Sequence, residues 1–411
     1  MEVCLIETLG ERIRILRKQR KMTLEALAGD QLTKGMLSLI ENNKANPSMD
    51  SLSYIASRLE VDVAVLLEEG NVEELRSIIE KADALYHVPY DEVTNEHKQI
   101  INLIEPVLPK LTKNYESARL LDLYGRALYF EDDESWHTYT DRAANIFEDL
   151  HIIYRRAAVG IFRAMAKFAL PDYTGALATM LEERNFIEST HAYIEPMTRI
   201  DLDYHEAVLH FAVGDSETAT KVMEQAINYS KEQQVFYKVD HLYRLAAIQA
   251  LMSYDEKKME DYRNKLIHYS KFIDDEEPLD FTRFLDIHRL TSYCHDYEQA
   301  LRLMEKYSAS LHAEDGFSPY VYLETGKALY GVGRYEEAIE SLLQVNVMKY
   351  IKHPIDLSLF YEGEAYLAKS YAAIGDSEKA KEWAQRAWDH ISVLPDSPYK
   401  KSVHQTYEQL T

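Results

Sequence analysis

Residues 12–52, RIRILRKQRKMTLEALAGDQLTKGMLSLIENNKANPSMDSL, set short helical patterns between polar stops. Thr23 stands directly before the run Leu24–Ala28 and Thr33 before Lys34–Glu41. Each hydroxyl is placed to accept a backbone N–H of the first helical turn. Gly29-Asp30 closes the first of these helices, residues 42–47 form a turn, and Ser48 opens the next. Toward the N-terminus, a helix over 8–18 lines up Leu9, Ile13 and Leu16, with Ile6, on one face. In 34–41 the packing residues are Met36, Leu37 and Ile40; after Ser48 they are Leu52, Ile55, Ala56 and Leu59. Asp62 caps a fifth helix through Leu67. The spacing predicts five helices in 67 residues.

Charge separates this segment from the rest. The protein has 411 residues and a net charge of −23. Residues 1–67 are neutral, with nine basic and nine acidic side chains, and 12–21 hold six cations and no anion. Residues 68–411 carry the whole negative excess, so the chain is electrostatically two objects. A cation run alone more often marks a solvated helix face than a nucleic-acid contact.

Past a polar linker at 68–74, the pattern stays helical through 75–411. Glycine (14) and proline (11) are scarce and no valine-rich alternating runs occur, which excludes an all-β fold. A set of small residues recurs: Ala207-Gly214-Ala219-Ala226, Gly326-Gly333-Ala338-Val345 and Ala368-Gly375-Ala380-Ala387. Weaker copies hold Ala164-Pro171-Ala176 and His288-His295-Ala300, and Gly125 suggests another. Alanines 176, 219, 300, 338 and 380 are 43, 81, 38 and 42 residues apart, so the period is about 40, with one copy hidden near 259. A small residue lets two helices approach, glycine ends the first in a left-handed turn, and the alanine packs back from the second. Seven to nine such hairpins are expected.

Enzyme and metal chemistry find no support. Cys4 and Cys294 are 290 residues apart, which excludes a disulfide framework and a CxxC module. Cys294 reads as a buried repeat residue, and Trp136, Trp383 and Trp388 as packing residues. His205 and His210 are five apart, about 140° around a helix, and cannot share a metal from one face. Gly331-Val332-Gly333 lacks the third glycine and the strand of a dinucleotide loop. No cofactor or metal site is read, no segment reaches 18 apolar residues, and a cytoplasmic location without membrane contact is expected.

The runs 12–17, 22–28, 33–42 and 47–52 resemble the Xre/Cro-type helix-turn-helix, a five-helix lambda-repressor-like domain. The resemblance implies that the third helix enters the major groove of double-stranded DNA. Thr33, Lys34, Gly35 and Ser38 would face the bases and flanking phosphates, and Asn43 and Lys44 the backbone beside Asn42. Arg17, Lys18 and Thr23 complete the expected contact set. The family often has glutamine after the threonine of helix 2; Leu24 stands here, which removes one phosphate contact.

The 40-residue repeat resembles a stretched tetratricopeptide repeat, which implies an all-α, right-handed solenoid. In such solenoids the position after the small residue of each first helix lines the concave face. Here it holds Arg126, Arg289, Lys327 and Lys369, four cations among seven positions in an acidic domain. Asp122, Tyr129, Tyr204, Tyr243 and Tyr330 lie a turn away. Together they would bind the carboxylate and backbone of a short peptide; an i,i+4 ion pair between Asp122 and Arg126 is the plainer alternative.

The two parts together are similar to the peptide-pheromone receptors of Gram-positive bacteria (Rap, NprR, PlcR and PrgX), most of all the NprR branch. That likeness implies a quorum-sensing transcription regulator switched by a short signalling peptide. It would act as a homodimer on a palindromic operator, with a tetramer as the peptide-bound state. The alternative it implies is sequestration of a sporulation-phosphorelay response regulator.

Overall fold

The computed structural model describes residues 8–63, 66, 69–89, 92–308 and 319–411. Ile6, most of the fifth helix through Leu67, and Cys4 lie outside them. Every regular element among the described residues is helical. The chain divides into two compact units, Met1–Val159 and Gly160–Thr411.

The first unit begins with α1 (Leu9–Gln19), α2 (Leu24–Ala28), α3 (Lys34–Glu41) and α4 (Met49–Arg58). The bounds of α2 and α3 are those the caps predict. Thr23, Thr33 and Ser48 accept the N–H of Ala26, Met36 and Ser51. Thr8 and Glu11 form a reciprocal capping box on α1. Each cap stabilises its helix by about 1 kcal/mol, which matters for elements as short as α2. Ile13, Leu27, Leu37, Ile40, Leu52, Ile55 and Leu59 are fully buried in one core, with Leu66 of the fifth segment beside them. Met36, expected to pack there, is instead 45% exposed, because Leu37 and Ile40 already fill the inward stripe of α3.

α5 (Glu69–Tyr86) starts inside the polar stretch expected as a linker, so 69–74 are helical. α6 (Glu96–Ile104), α7 (Tyr115–Phe130) and α8 (Trp136–Asp149) follow. A β-carbon on Gly125 of α7 would lie 2.7 Å from the Thr140 methyl of α8, so this hairpin closes only around glycine.

α9 (Ile153–Ala169) contains the division between the units. The second unit then contains α10 (Tyr173–Thr190), α11 (Pro196–Ala212), α12 (Ser216–Gln233), α13 (Val239–Met252), α14 (Glu256–Ile273), α15 (Glu277–Arg289), α16 (Tyr297–Ser308), α17 (Pro319–Gly331), α18 (Tyr335–Leu342), α19 (Pro354–Ala373), α20 (Ser377–Ser392) and α21 (Pro398–Leu410). Among the described residues, the helices from α5 onward follow one another as eight successive pairs and a last unpaired helix. Gly214, Gly333 and Gly375 have φ of +81 to +87° at the turns, as the repeat requires. The copy hidden near 259 is α13–α14, with Tyr254 at the glycine position and buried Met259 at the alanine position. An aspartate follows most of these turns: Asp172, Asp215, Asp255, Asp296 and Asp376 each accept a backbone N–H three residues on.

Residues 343–353 do not stay with their own hairpin. Tyr173 donates to the Lys352 carbonyl at 3.0 Å, and His353 Nε2–H to the Val208 carbonyl at 3.2 Å. Ile355 packs against the core of α11–α13. This strap therefore ties α17–α19 to α10 and α11 within the second unit.

In the first unit α1 is fastened to α3 by a two-pronged ion pair. Arg17 donates through Nε and an Nη to both oxygens of Glu41 at 2.6 and 2.7 Å, and to the Met22 carbonyl at 2.9 Å. The Glu41 carboxylate raises the Arg17 pKa. Arg17→Ala leaves Glu41, only 4% exposed, without its counter-charge. The expected loss is about 3–5 kcal/mol, read from chemical unfolding of this domain; a loss under about 1 kcal/mol would mean the pair is a surface contact.

Candidate functional site

The exposed face of α3 carries Thr33, Lys34, Gly35, Met36 and Leu39, with half-buried Ser38 beside them. Thr33 spends its lone pair on the Met36 N–H and keeps its hydroxyl proton for an acceptor such as a phosphate oxygen. Thr23, at the start of α2, is in the same condition. Lys34 pairs with Glu25 at 2.6 Å, but both side chains are more than half exposed, so the pair can exchange for a phosphate at little cost. Lys18 and Lys44 are exposed. The sequence pattern reads Met36 as a packing residue and gives Leu39 no role; on a recognition helix such exposed apolar side chains meet thymine methyl groups.

Two expected contacts are corrected. Arg17 is held by Glu41, which makes it structural. Asn43, at φ +58°, donates to the Thr8 hydroxyl at 2.6 Å and accepts the Gly10 N–H at 3.2 Å, so its side-chain amide, although exposed, is spent on fastening α1. The cation run is divided in the same way. Arg12 donates to the Leu66 carbonyl and Arg20 pairs with Glu60, while Arg14, Lys18 and Lys21 are exposed and make no ion pair among the described residues.

In the second unit a cavity of about 370 Å³ opens between α13, α15, α17 and α19. Its walls are Ile248, Phe281, Phe284, Ile287, Tyr320, Val321, Ile355 and Leu359, with charged side chains among them. None of the nine expected peptide contacts lines it. Asp122, Arg126 and Tyr129 belong to the first unit. There Asp122 is fully buried between Arg119 at 2.7 Å and Arg126 at 2.6 Å, and Arg126 also donates to the Ala158 carbonyl. The plainer reading of that pair is the observed one. Tyr129 packs edge-on against Trp136.

Of the other six, Tyr204 has the Lys238 ammonium 4.8 Å above its ring and Tyr243 lies beside Tyr262. Arg289 is one-third exposed near Glu256. Tyr330 stands edge-on to Tyr366, and the Lys369 ammonium sits 4.5 Å over that same ring, where burial lowers its pKa. Lys327 is fully buried. On α17 the lining residues Tyr320 and Glu324 lie nearer the N-terminus of the helix than the expected Lys327, and on α19 Asp356 and Leu359 lie nearer it than Lys369. Cys294 is exposed, not buried, because residues Leu290–Cys294 form a turn of π-helix that carries it outward.

Beneath the cavity lies a buried charge network. Lys327 Nζ donates to Glu362 at 2.8 Å and stands 3.5 Å from Glu324. Glu324 lies 2.8 Å from His288 Nδ1 and accepts from the Thr291 hydroxyl; His288 Nε2 lies 2.9 Å from the Tyr399 hydroxyl. Burial works to raise the Glu324 pKa, but Lys327, His288 and Thr291 together bring it down to about 2. Among the described residues no group of His, Cys, Asp and Glu could hold a metal ion, and no helix is long and apolar enough to cross a membrane.

A carboxyl lowered from 4.5 to about 2 stabilises the fold fully above pH 4.5 and loses that contribution as pH falls toward 2. Lys327→Met is expected to cost about 3–5 kcal/mol in urea unfolding at neutral pH, since two buried carboxylates lose their ammonium. The deficit should shrink as pH is lowered through that window; a constant deficit would mean that Lys327 acts by packing alone.

Residues 13–66 match the family described as helix-turn-helix. The chain is similar to the immunity repressor protein of Bacillus phage phi105, 30% identical over 108 residues that make up 26% of this chain and 67% of the repressor. Among solved structures it is similar to Bacillus thuringiensis PlcR in complex with the peptide PapR7 and DNA, at 18% identity and a TM-score of 0.37, over 65% of this chain and 96% of PlcR. It is also similar to ComR from S. thermophilus in complex with DNA and its signalling peptide ComS, at 18% identity and a TM-score of 0.29, over 67% and 97% of the two chains. The Streptococcus dysgalactiae SHP pheromone receptor Rgg2 is 14% identical, with a TM-score of 0.30 over 67% and 99%. At TM-scores this low, the fold assignment rests on the helices and turns of the chain itself. From the capped order of α1–α4, the exposed face of α3 and the match over 13–66, the chain belongs to the helix-turn-helix family of DNA-binding proteins.

Proposed function

We propose that this protein is a transcription regulator that binds double-stranded DNA through α3 and is switched by a short peptide held in the cavity of its second unit. The observation that carries the reading is the pairing of a recognition face, Thr33 to Leu39, with a separate apolar cavity rimmed by charge. A volume of about 370 Å³ suits one or two anchoring side chains of a peptide whose remainder lies outside. Two copies would present two α3 helices to the half-sites of a palindromic operator. Peptide would act by population shift, favouring the arrangement of the hairpins that the strap at 343–353 holds together. The cations Lys18, Lys34 and Lys44 would supply phosphate contacts, and Thr33, Gly35, Met36 and Leu39 the base contacts.

A pull-down of genomic fragments, with and without a boiled low-molecular-weight extract of dense culture, tests the switch. Enrichment that requires the extract and is lost after peptidase treatment is the expected result. Enrichment indifferent to the extract would leave a constitutive regulator, and none in either arm would favour sequestration of a response regulator.

Gly35 gives a sharper test of the DNA face. A β-carbon there would meet only the Thr33 hydroxyl at 3.9 Å, so nothing inside the chain requires glycine. Gly35→Ala is expected to stabilise the domain by up to about 1 kcal/mol while weakening operator binding about ten-fold, as the methyl group holds the helix off the DNA. Unchanged affinity would place Gly35 away from the groove.

A further inference from the structure

We infer that Asp356 reads a cationic group on the ligand of the second-unit cavity: an ammonium or guanidinium adjoining an apolar side chain. The inference rests on the cavity being a peptide site, as proposed above, and adds the chemistry it selects. Six charged side chains line the cavity, and five are ion-paired or hydrogen-bonded within the protein, although the buried Nε of Arg244 has no acceptor among the described residues. Arg244 pairs with Glu277 at 2.9 Å and with Asp240 at 3.3 Å. Arg283 pairs with Asp280 and stands 3.7 Å from Glu276. Glu324 is held by His288, Thr291 and Lys327. Asp356 has no hydrogen bond or ion pair among the described residues.

Its surroundings give it only partial support: it lies in the first turn of α19 and near the Tyr320 hydroxyl, with which it makes no hydrogen bond among the described residues, and Ile355 and Leu359 beside it are aliphatic. His353, the residue that caps α19, is saturated as a neutral ring: Nε2–H donates to the Val208 carbonyl and Nδ1 accepts the Ile355 N–H. Burial raises the Asp356 pKa and lowers that of His353, and in each it outweighs the attraction between the two groups. A carboxylate left unpaired in an apolar wall costs stability in the empty protein. An incoming cation removes that cost and gains a charge-assisted hydrogen bond, while its apolar neighbour fills the space against Phe281 and Phe284. Because Asp356 begins α19 directly after the strap, the same contact bears on the segment that ties α19 to α11.

The test uses full-length protein, immobilised and equilibrated with an equimolar synthetic hexapeptide library, in free and N-acetylated forms, with retained peptides sequenced by mass spectrometry. The expected result is about ten-fold retention in favour of a cation at one position, lost in Asp356→Asn. A preference that acetylation abolishes assigns the N-terminal ammonium; one that survives acetylation assigns a lysine or arginine side chain. Asp356→Asn should melt no lower than wild type, and Asp356→Ser should behave alike. Retention without cationic preference, the same preference in Asp356→Asn, or a clear fall in melting temperature in both variants would overturn the role of Asp356 and leave the peptide reading standing. Retention of no peptide by wild type would sink both.

Discussion

Lys327 has no contact with water, and the second unit is arranged around that fact. An ammonium taken out of solvent is tolerated only where carboxylates reach it, here Glu324 on its own helix and Glu362 on α19. Glu324 in turn requires His288 and Thr291, and His288 requires Tyr399 of α21. Four helices and the π-turn are thereby fixed in one register by a chain of polar contacts that allows no slip. The floor of the cavity inherits this rigidity, because Glu324 belongs to both.

Elsewhere the same device recurs on a smaller scale. Arg184 gathers Asp203 and Glu206, Arg263 holds Asp286, and Arg163 holds Glu183. Carboxylates of residues 68–411 are thus engaged within and between neighbouring hairpins. A concave row of cations could look like a ligand surface in one dimension because most of its partners are not visible there: Lys327 is held by Glu362, 35 residues on, and Arg289 stands near Glu256, while Arg126 pairs with Asp122 of its own helix.

What could be read from the order of residues was whatever is local. Caps at Thr23, Thr33 and Ser48, turns at Gly214, Gly333 and Gly375, and the 40-residue period all act within one or two helical turns. They place α2 and α3 to the residue and yield a number of hairpins inside the expected range. The candidate DNA face was legible for the same reason, since capping and periodicity orient α3. Arg17, Asn43 and Lys327 were misjudged because their partners lie 24, 35 and 35 residues away, beyond any local pattern. Met36 was misjudged because an apolar residue beside an inward stripe counts as core until the width of that stripe is known. Asp356 gave no signal at all: its distinction is the absence of a partner, which only the assembled helices reveal.

The strap at 343–353 changes what kind of object the second unit is. Stacked hairpins that touch only their neighbours can fray from either end, each opening independently of distant ones. Tyr173–Lys352 and Val208–His353 join positions 179 and 145 residues apart, so the early hairpins receive part of their support from the late ones. During synthesis, α10 and α11 must wait for more than a hundred further residues before these bonds can form. Once formed, they turn a linear array into a closed circuit, which loses its order all at once or keeps it throughout.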